Sequence, residues 1–378
     1  MTATTDGSSS RPHVMMLGLR SLGSGQGGVE AHVEQLASEL DARGCRVEVV
    51  VRKPYSGAEV RHKGKATRIV PLWSPSGQSS EAIVHSVLGV FYAARRRPHA
   101  LHIHAVGPAL VAPLARILGL RVIFTHHGED YNREKWGKAA RFVLRMGEKL
   151  GTSFSNRRIC VSPSLSQSLT KAYGKVYDYV PNGVRRAVRA ETTDTLDSLG
   201  LTPGGYIVHV GRIVPEKRQL DLVAMMARLG RPGMKLALVG AADHNSEYSA
   251  EVLKQAAENP DIVLCGFQTG NALAELFSQC ALFALPSSHE GLPIALLEAM
   301  SYGCPVVVSD IEANLNVALP AECYFPMGDQ DALLERVRAA LAGPGRVDWS
   351  ETLAQFDWQK IADKTLNIYK EAGVPVGG

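Results

Sequence analysis

Four charged residues in the second half of the chain have the types and spacing to hold a phosphorylated, hydroxyl-rich ligand. Arg212 and Lys217 flank a short turn, Gly211-Arg212-Ile213-Val214-Pro215-Glu216-Lys217-Arg218. Two cations beside a helix N-terminus can jointly hold a diphosphate. Glu290 lies in the polar loop Ser287-Ser288-His289-Glu290, and Glu298 follows eight residues later in an apolar helical stretch. A loop acid pointing into a cleft suits a ligand with hydroxyls. Taken singly, each residue also has a plain reading: cations on a solvated turn, an acid in a wet loop, an acid on a helix surface.

The elements around them must do the positioning. An apolar run, Ala281 to Leu285, ends at Pro286, and Gly291-Leu292-Pro293 leads into a helical stretch from Ile294 to Met300. Gly303 stops that helix, and Val306-Val307-Val308 reads as the next strand. This is the strand, loop, helix, strand grammar of an α/β unit. Tyr206 to Val210 is a strand whose end carries Arg212, with a helix from Gln219. Lys235 to Val239 and Ile262 to Leu264 are further strands. Phe267, just past the last of these, could stack on a nucleobase or belong to the core. Asn271 to Cys280, Gln330 to Leu341 and Trp358 to Ala372 read as helices.

The first half repeats the pattern. His13 to Leu19 is a strand that runs into a glycine-rich loop ending in Gly27-Gly28, then a helix. Those glycines let backbone N–H groups approach a ligand at a helix N-terminus. The spacing is not G-x-G-x-x-G, and Arg52-Lys53 stands where a ribose-binding acid would be needed, which disfavours a nicotinamide cofactor. Val122 to Thr125 is a strand that ends at His126-His127-Gly128-Glu129-Asp130, where ligands bind in open α/β sheets. The histidine pair could also be a metal site, but its spacing lacks a periodicity that would converge the ligands. Lys135 to Leu150 reads as a basic amphipathic helix. Lys138, Arg141 and Arg145 are among its cations, and Trp136, Phe142, Val143 and Leu144 are among its apolar residues. It could dock on anionic lipid, or be a surface helix with its apolar face on the core.

Composition sets the frame. The chain has 378 residues, 45% hydrophobic and 21% charged, enough for two soluble cores. Residues 1–180 hold 25 Lys and Arg against 13 Asp and Glu, a net +12, and the remainder carries −8. A basic first half is expected to meet an anionic surface. Its basic residues are not interleaved with aromatics as stacking platforms, so no nucleic-acid partner is expected. The six cysteines are scattered without C-x-x-C, and no signal peptide is evident. The expectation is a reduced, cytoplasmic protein, peripheral at most on the inner face of the membrane. The apolar stretch from Gly107 to Phe124 is too interrupted by Pro and Arg to span a bilayer.

Several motifs then converge. G-G-V-E-A-H-V at 27–33, H-H-G-E-D at 126–130, G-R-x-x-x-x-K at 211–217 and H-E-G-L-P-I-A-L-L-E-A-M-S-Y-G-C-P-V-V at 289–307 run through nearly the whole chain. With them the chain resembles the retaining, GT-B-fold glycosyltransferases of family 4. The run Glu134-Lys135-Trp136-Gly137-Lys138 is similar to a bacterial subgroup linked with rhamnosyl-type transfer in cell-surface polysaccharide assembly. The resemblance implies an α/β, GT-B architecture, two Rossmann-like parallel-sheet domains facing across a cleft. It implies that Arg212 and Lys217 neutralise the nucleotide diphosphate leaving group and that Glu298 accepts from the ribose. Glu290, with the N–H groups of Gly291 and Leu292, would hold the donor sugar. His126 would contact that sugar, Gly27 and Gly28 would approach the donor, and Phe267 would frame the base. Many relatives carry Gly after the lysine; here it is Arg218.

The expected boundaries are a disordered 1–11, an acceptor-binding domain 12–184, a linker 185–205 and a nucleotide-sugar domain 206–350. A C-terminal helix in 351–378 is expected to pack back on the first domain. The expected activity is retaining transfer from a nucleotide-sugar, UDP before GDP, to a lipid-linked glycan acceptor, with an anionic membrane surface as a possible partner. No cofactor or metal is expected, since fixed cations can stabilise the leaving group. The alternatives are a sugar-nucleotide epimerase of the same architecture and a degenerate nucleotide-sugar-binding protein.

Overall fold

The computed structural model describes residues 11–22, 27–56, 61–62, 67–75, 81–129, 131, 137–242, 246–343 and 345–376. They divide into two compact units. The first is built from 11–131, 137–181 and 358–376, the second from 182–357.

The first unit holds eight strands: β1 (His13–Leu17), β2 (Arg46–Arg52), β3 (Arg61–His62), β4 (Thr67–Leu72), β5 (Ala100–His104), β6 (Val122–His126), β7 (Arg157–Cys160) and β8 (Asp178–Tyr179). Their order is β3-β4-β2-β1-β5-β6-β7-β8. All neighbours pair parallel except β3 with β4. β1, β5 and β6 are buried along their whole length, as strands covered on both faces are. The helix Trp358–Glu371 belongs to this unit. Its Trp358, Ile361, Ile368 and Tyr369 share a core with Val33, Leu36 and Leu40 of the helix Gly28–Ala42.

The second unit holds β9 (Tyr206–Val210), β10 (Lys235–Val239), β11 (Ile262–Gly266), β12 (Leu282–Leu285), β13 (Val306–Ser309) and β14 (Tyr324–Phe325). The order is β11-β10-β9-β12-β13-β14, all parallel. The sequence order reverses between β9 and β12, the switch point beside which open α/β sheets bind ligands. Residues 185–205, polar as they are, are held by this unit. Ala190 N–H donates to Ser278 Oγ, Thr192 donates to Glu275 at 2.5 Å, and Thr195 N–H donates to the same carboxylate at 2.8 Å.

The basic helix differs from expectation. It runs Lys138–Phe154, and Lys135 and Trp136 lie outside the described residues. Its buried side is Gly147, Glu148, Gly151 and Thr152. Phe142 is 66% exposed and Val143 is exposed too, so these apolar residues do not face the core. The reason is packing distance. A Cβ on Gly147 would lie 2.1 Å from the Val106 carbonyl oxygen, and one on Gly151 would lie 2.8 Å from Ala109 Cβ. Two glycines one turn apart let the helix backbone lie directly on 106–109, and Phe142 and Val143 are turned outward while Leu144 packs against the core.

Candidate active site

In the second unit the loops after the two switch-point strands converge. β9 leads into Gly211-Arg212 and the short 3-10 turn Pro215–Lys217, and β12 leads into the 286–293 loop. Ser288 N–H donates to the Glu216 carbonyl at 2.9 Å and ties one loop to the other. Lys217 Nζ then donates to Glu290 Oε1 at 2.5 Å, and Ser287 Oγ donates to the same oxygen at 2.7 Å. Lys217 and Glu290 are thus brought into direct contact, 73 residues apart in the chain.

Buried neighbours fix these loops. His209 donates from Nδ1 to the Ala284 carbonyl, and its pKa is pushed down to about 4, chiefly by burial. Gln219 is fully buried; its amide donates to the Arg212 carbonyl at 2.8 Å and meets His209 Nε2 at 3.4 Å. Ser309 donates to the Ser287 carbonyl, and the Asn182 amide donates to the Leu292 carbonyl. Gly240, at φ 138, is required here, since a Cβ would lie 2.0 Å from the Gly211 carbonyl. None of Ser287, Gln219, His209 or Asn182 stood out in the sequence. Ser287 had a readable signal, being a hydroxyl three residues before the loop acid.

Glu298 sits in the helix Ile294–Ser301, and burial pushes its pKa up to about 7. Gly291 and buried Leu292 occupy the turn just before that helix. Phe267 follows β11 and is 40% exposed, so it is a surface aromatic and not core. Arg218 stands in the left-handed region at φ 52, which is where glycine costs least. Its guanidinium pairs with Asp221 at 2.5 Å.

In the first unit the histidine pair splits. His126 closes β6 and is fully buried. Gly128 N–H donates to its Nδ1 at 3.2 Å, and its Nε2 meets Glu148 at 2.8 Å. Burial alone would raise the Glu148 pKa. Hydrogen bonds from His126, then Tyr173 and Tyr131, outweigh it and leave the carboxyl lowered. Both His126 nitrogens are therefore engaged inside this unit, and the ring offers none to a sugar as placed here. Successive residues at a strand end point to opposite faces, and it is His127 that remains partly exposed.

Gly27 is the N-cap of the helix Gly28–Ala42, and Gly28 is its first residue. A Cβ on Gly27 would meet the Glu30 carboxylate at 2.1 Å, so Glu30 sits at this helix start. Residues 23–26 of the glycine loop lie outside the described residues. Lys138, Arg141 and Arg145 are exposed, with the Arg145 guanidinium 5.2 Å from the Tyr131 ring centre.

The family model described as "Glycosyl transferases group 1" matches residues 197–356, and "Glycosyltransferase Family 4" matches residues 26–187. The chain is 27% identical over 344 residues to a 2-deoxystreptamine N-acetyl-D-glucosaminyltransferase of Streptomyces fradiae, covering 81% of this chain and 80% of that one. Sucrose-phosphate synthase from Thermosynechococcus elongatus superposes with a TM-score of 0.80 at 22% identity, over 96% of this chain and 99% of that one. Anabaena HepE in complex with UDP and glucose gives a TM-score of 0.76 at 17% identity, over 96% and 100%. At these identities the two structures show the fold, and with the two matched models they place this chain among the GT-B-fold glycosyltransferases of family 4.

Proposed function

We propose that this enzyme transfers a sugar from a nucleotide-diphosphate sugar to a hydroxyl of a lipid-linked glycan, with retention at the anomeric carbon and without a metal in the transfer step. The observation that carries this is the Lys217–Glu290 pair, with Ser287 on the same carboxylate oxygen. A leaving diphosphate gains negative charge as the glycosidic bond breaks, and a pre-placed ammonium stabilises that charge without reorganisation. Before the donor arrives, Glu290 holds that ammonium in position. The diphosphate then takes over Lys217 together with Arg212, and Glu290 turns to the sugar hydroxyls with the N–H groups of Gly291 and Leu292. Glu298 receives the ribose and Phe267 frames the base.

Neither Glu290 nor Glu298 need act as nucleophile. A retaining carboxylate pair must flank the anomeric carbon, and Glu298 is committed to the ribose. Front-face attack, with the leaving phosphate accepting the acceptor's proton, fits this residue set. UDP is the first choice of nucleotide and GDP the second; HepE, of the same fold, was solved with UDP. The named relatives are a transferase and a synthase, which favours transfer over epimerisation. The lipid-linked acceptor rests on the basic first half, net +12 over residues 1–180, and on the cationic, exposed face of the helix Lys138–Phe154.

The test is a thermal-shift screen over UDP-, GDP- and dTDP-sugars, followed by NMR of the product with the stabilising donor. A ligand at 100 times its Kd stabilises by about 2.7 kcal/mol, so one nucleotide should stand out. Inversion at the anomeric carbon would remove the retaining mechanism. Formation of an epimer from donor alone would replace the transfer reading.

A further inference from the structure

Three histidines from three separate elements of the first unit meet on one side of its sheet. His32 lies on the helix Gly28–Ala42, His104 is the last residue of β5, and His127 follows β6. Among the described residues they form a group in which one ring nitrogen from each lies within 4.8 Å of the others. Their ring centres are 5.0, 5.3 and 6.1 Å apart. A tetrahedral ion bound at 2.0–2.1 Å by imidazole nitrogens places ring centres roughly 5.2 Å apart. His104 Nδ1 and His127 Nε2 are already 3.0 Å apart, close to the edge of about 3.3 Å that such a tetrahedron has.

His104 is fully buried and turns its Nδ1 toward His127. His102, its ring centre 4.0 Å from that of His104 and tilted against it, is different. It spends both nitrogens on the Tyr369 hydroxyl and Thr125 Oγ1, and so belongs to the supporting layer. The Trp358 ring, 5.4 Å from His32, closes the other side with an apolar wall. His127 is partly exposed and gives an entry path.

We propose that His32, His104 and His127 form a binding site for one divalent transition ion of the zinc type, with a fourth position left open. Nitrogen-only donors favour zinc, copper or nickel over magnesium or calcium, which require oxygen. The site belongs to the first unit and is separate from the transfer chemistry proposed for Lys217 and Glu290.

The experiment is isothermal titration of the full chain, without a histidine tag and stripped with chelator, using Zn²⁺ alone. One ion per chain is expected, with affinity falling at least 100-fold in His104→Ala and in His127→Asn and unchanged in His99→Gln. Because His104→Ala removes a core residue, Co²⁺ is added to the unmodified protein as a second readout. The visible bands of four- or five-coordinate cobalt are expected there. An octahedral cobalt spectrum, no uptake, or uptake that survives His127→Asn overturns the site and leaves a hydrogen-bonded histidine cluster. None of these readouts depends on glycosyl transfer.

Discussion

Two carboxyls eight residues apart end up in opposite conditions. Glu290 is paired with Lys217, while burial lifts the Glu298 pKa to about 7. A glutamate in the unfolded chain titrates near 4.5. Between about pH 4.5 and 7 the folded protein therefore binds more protons than the unfolded one, and stability falls as pH rises through that window. The full effect above pH 7 is at most about 3 kcal/mol. Glu298→Gln should flatten this slope in urea unfolding measured at several pH values; an unchanged slope would show that Glu298 does not carry it. The same residue predicts that nucleotide affinity rises with pH through about 7, since ribose hydroxyls donate to the ionised form. For the paired acid, Lys217→Ala and Glu290→Ala should each cut turnover by roughly 10²-fold or more with the fold intact, the usual cost of losing one pre-placed electrostatic contact. Undiminished turnover in both would remove the assignment. Lys217 and Glu290 were legible because loops after adjacent parallel strands must meet. At the doubled histidine 126–127, the sequence does not tell which member the strand end buries; the structure buries His126.

At the level of elements, most strands and helices could be read from apolar runs punctuated by Gly and Pro. The helix Lys138–Phe154 shows where that reading stops. Its apolar residues suggested a core-facing stripe, yet the helix packs through Gly147 and Gly151 and exposes Phe142. Close backbone approach is invisible to hydrophobic periodicity, because glycine contributes nothing to the pattern. This packing also aims Glu148 at His126. Gly147→Ala should therefore cost about 1–3 kcal/mol, the range for overpacking against a rigid neighbour. Urea unfolding of the variant checks this, and a loss below a few tenths would mean that the helix can shift freely. The polar stretch 185–205 was unreadable for a different reason. Its order comes from Glu275, a buried acid 80 residues downstream from Thr195, and no local signal announces such a partner.

Charge is a property of the whole molecule, and it divides unevenly along this one. Residues 1–180 carry +12 and the rest −8. No described helix is long and apolar enough to cross a membrane. The exposed part of the helix Lys138–Phe154 offers both kinds of side chain that can hold a lipid surface. Lys138, Arg141 and Arg145 supply cations, and Phe142, 66% exposed, supplies an apolar residue that can enter the headgroup layer. A basic residue at an anionic surface contributes about 1 kcal/mol. The double reversal Arg141→Glu and Arg145→Glu should then weaken co-sedimentation with phosphatidylserine or phosphatidylglycerol vesicles at least tenfold. Phe142→Ser should weaken it less, and independently of salt, whereas the charge-reversed variant should lose its salt dependence. Binding that is unchanged by the double reversal would sink the docking idea and leave the basic half to meet the charge of the acceptor itself. Loss of activity on a lipid-linked acceptor, with activity on a short soluble acceptor preserved, would locate the effect in surface capture rather than in transfer.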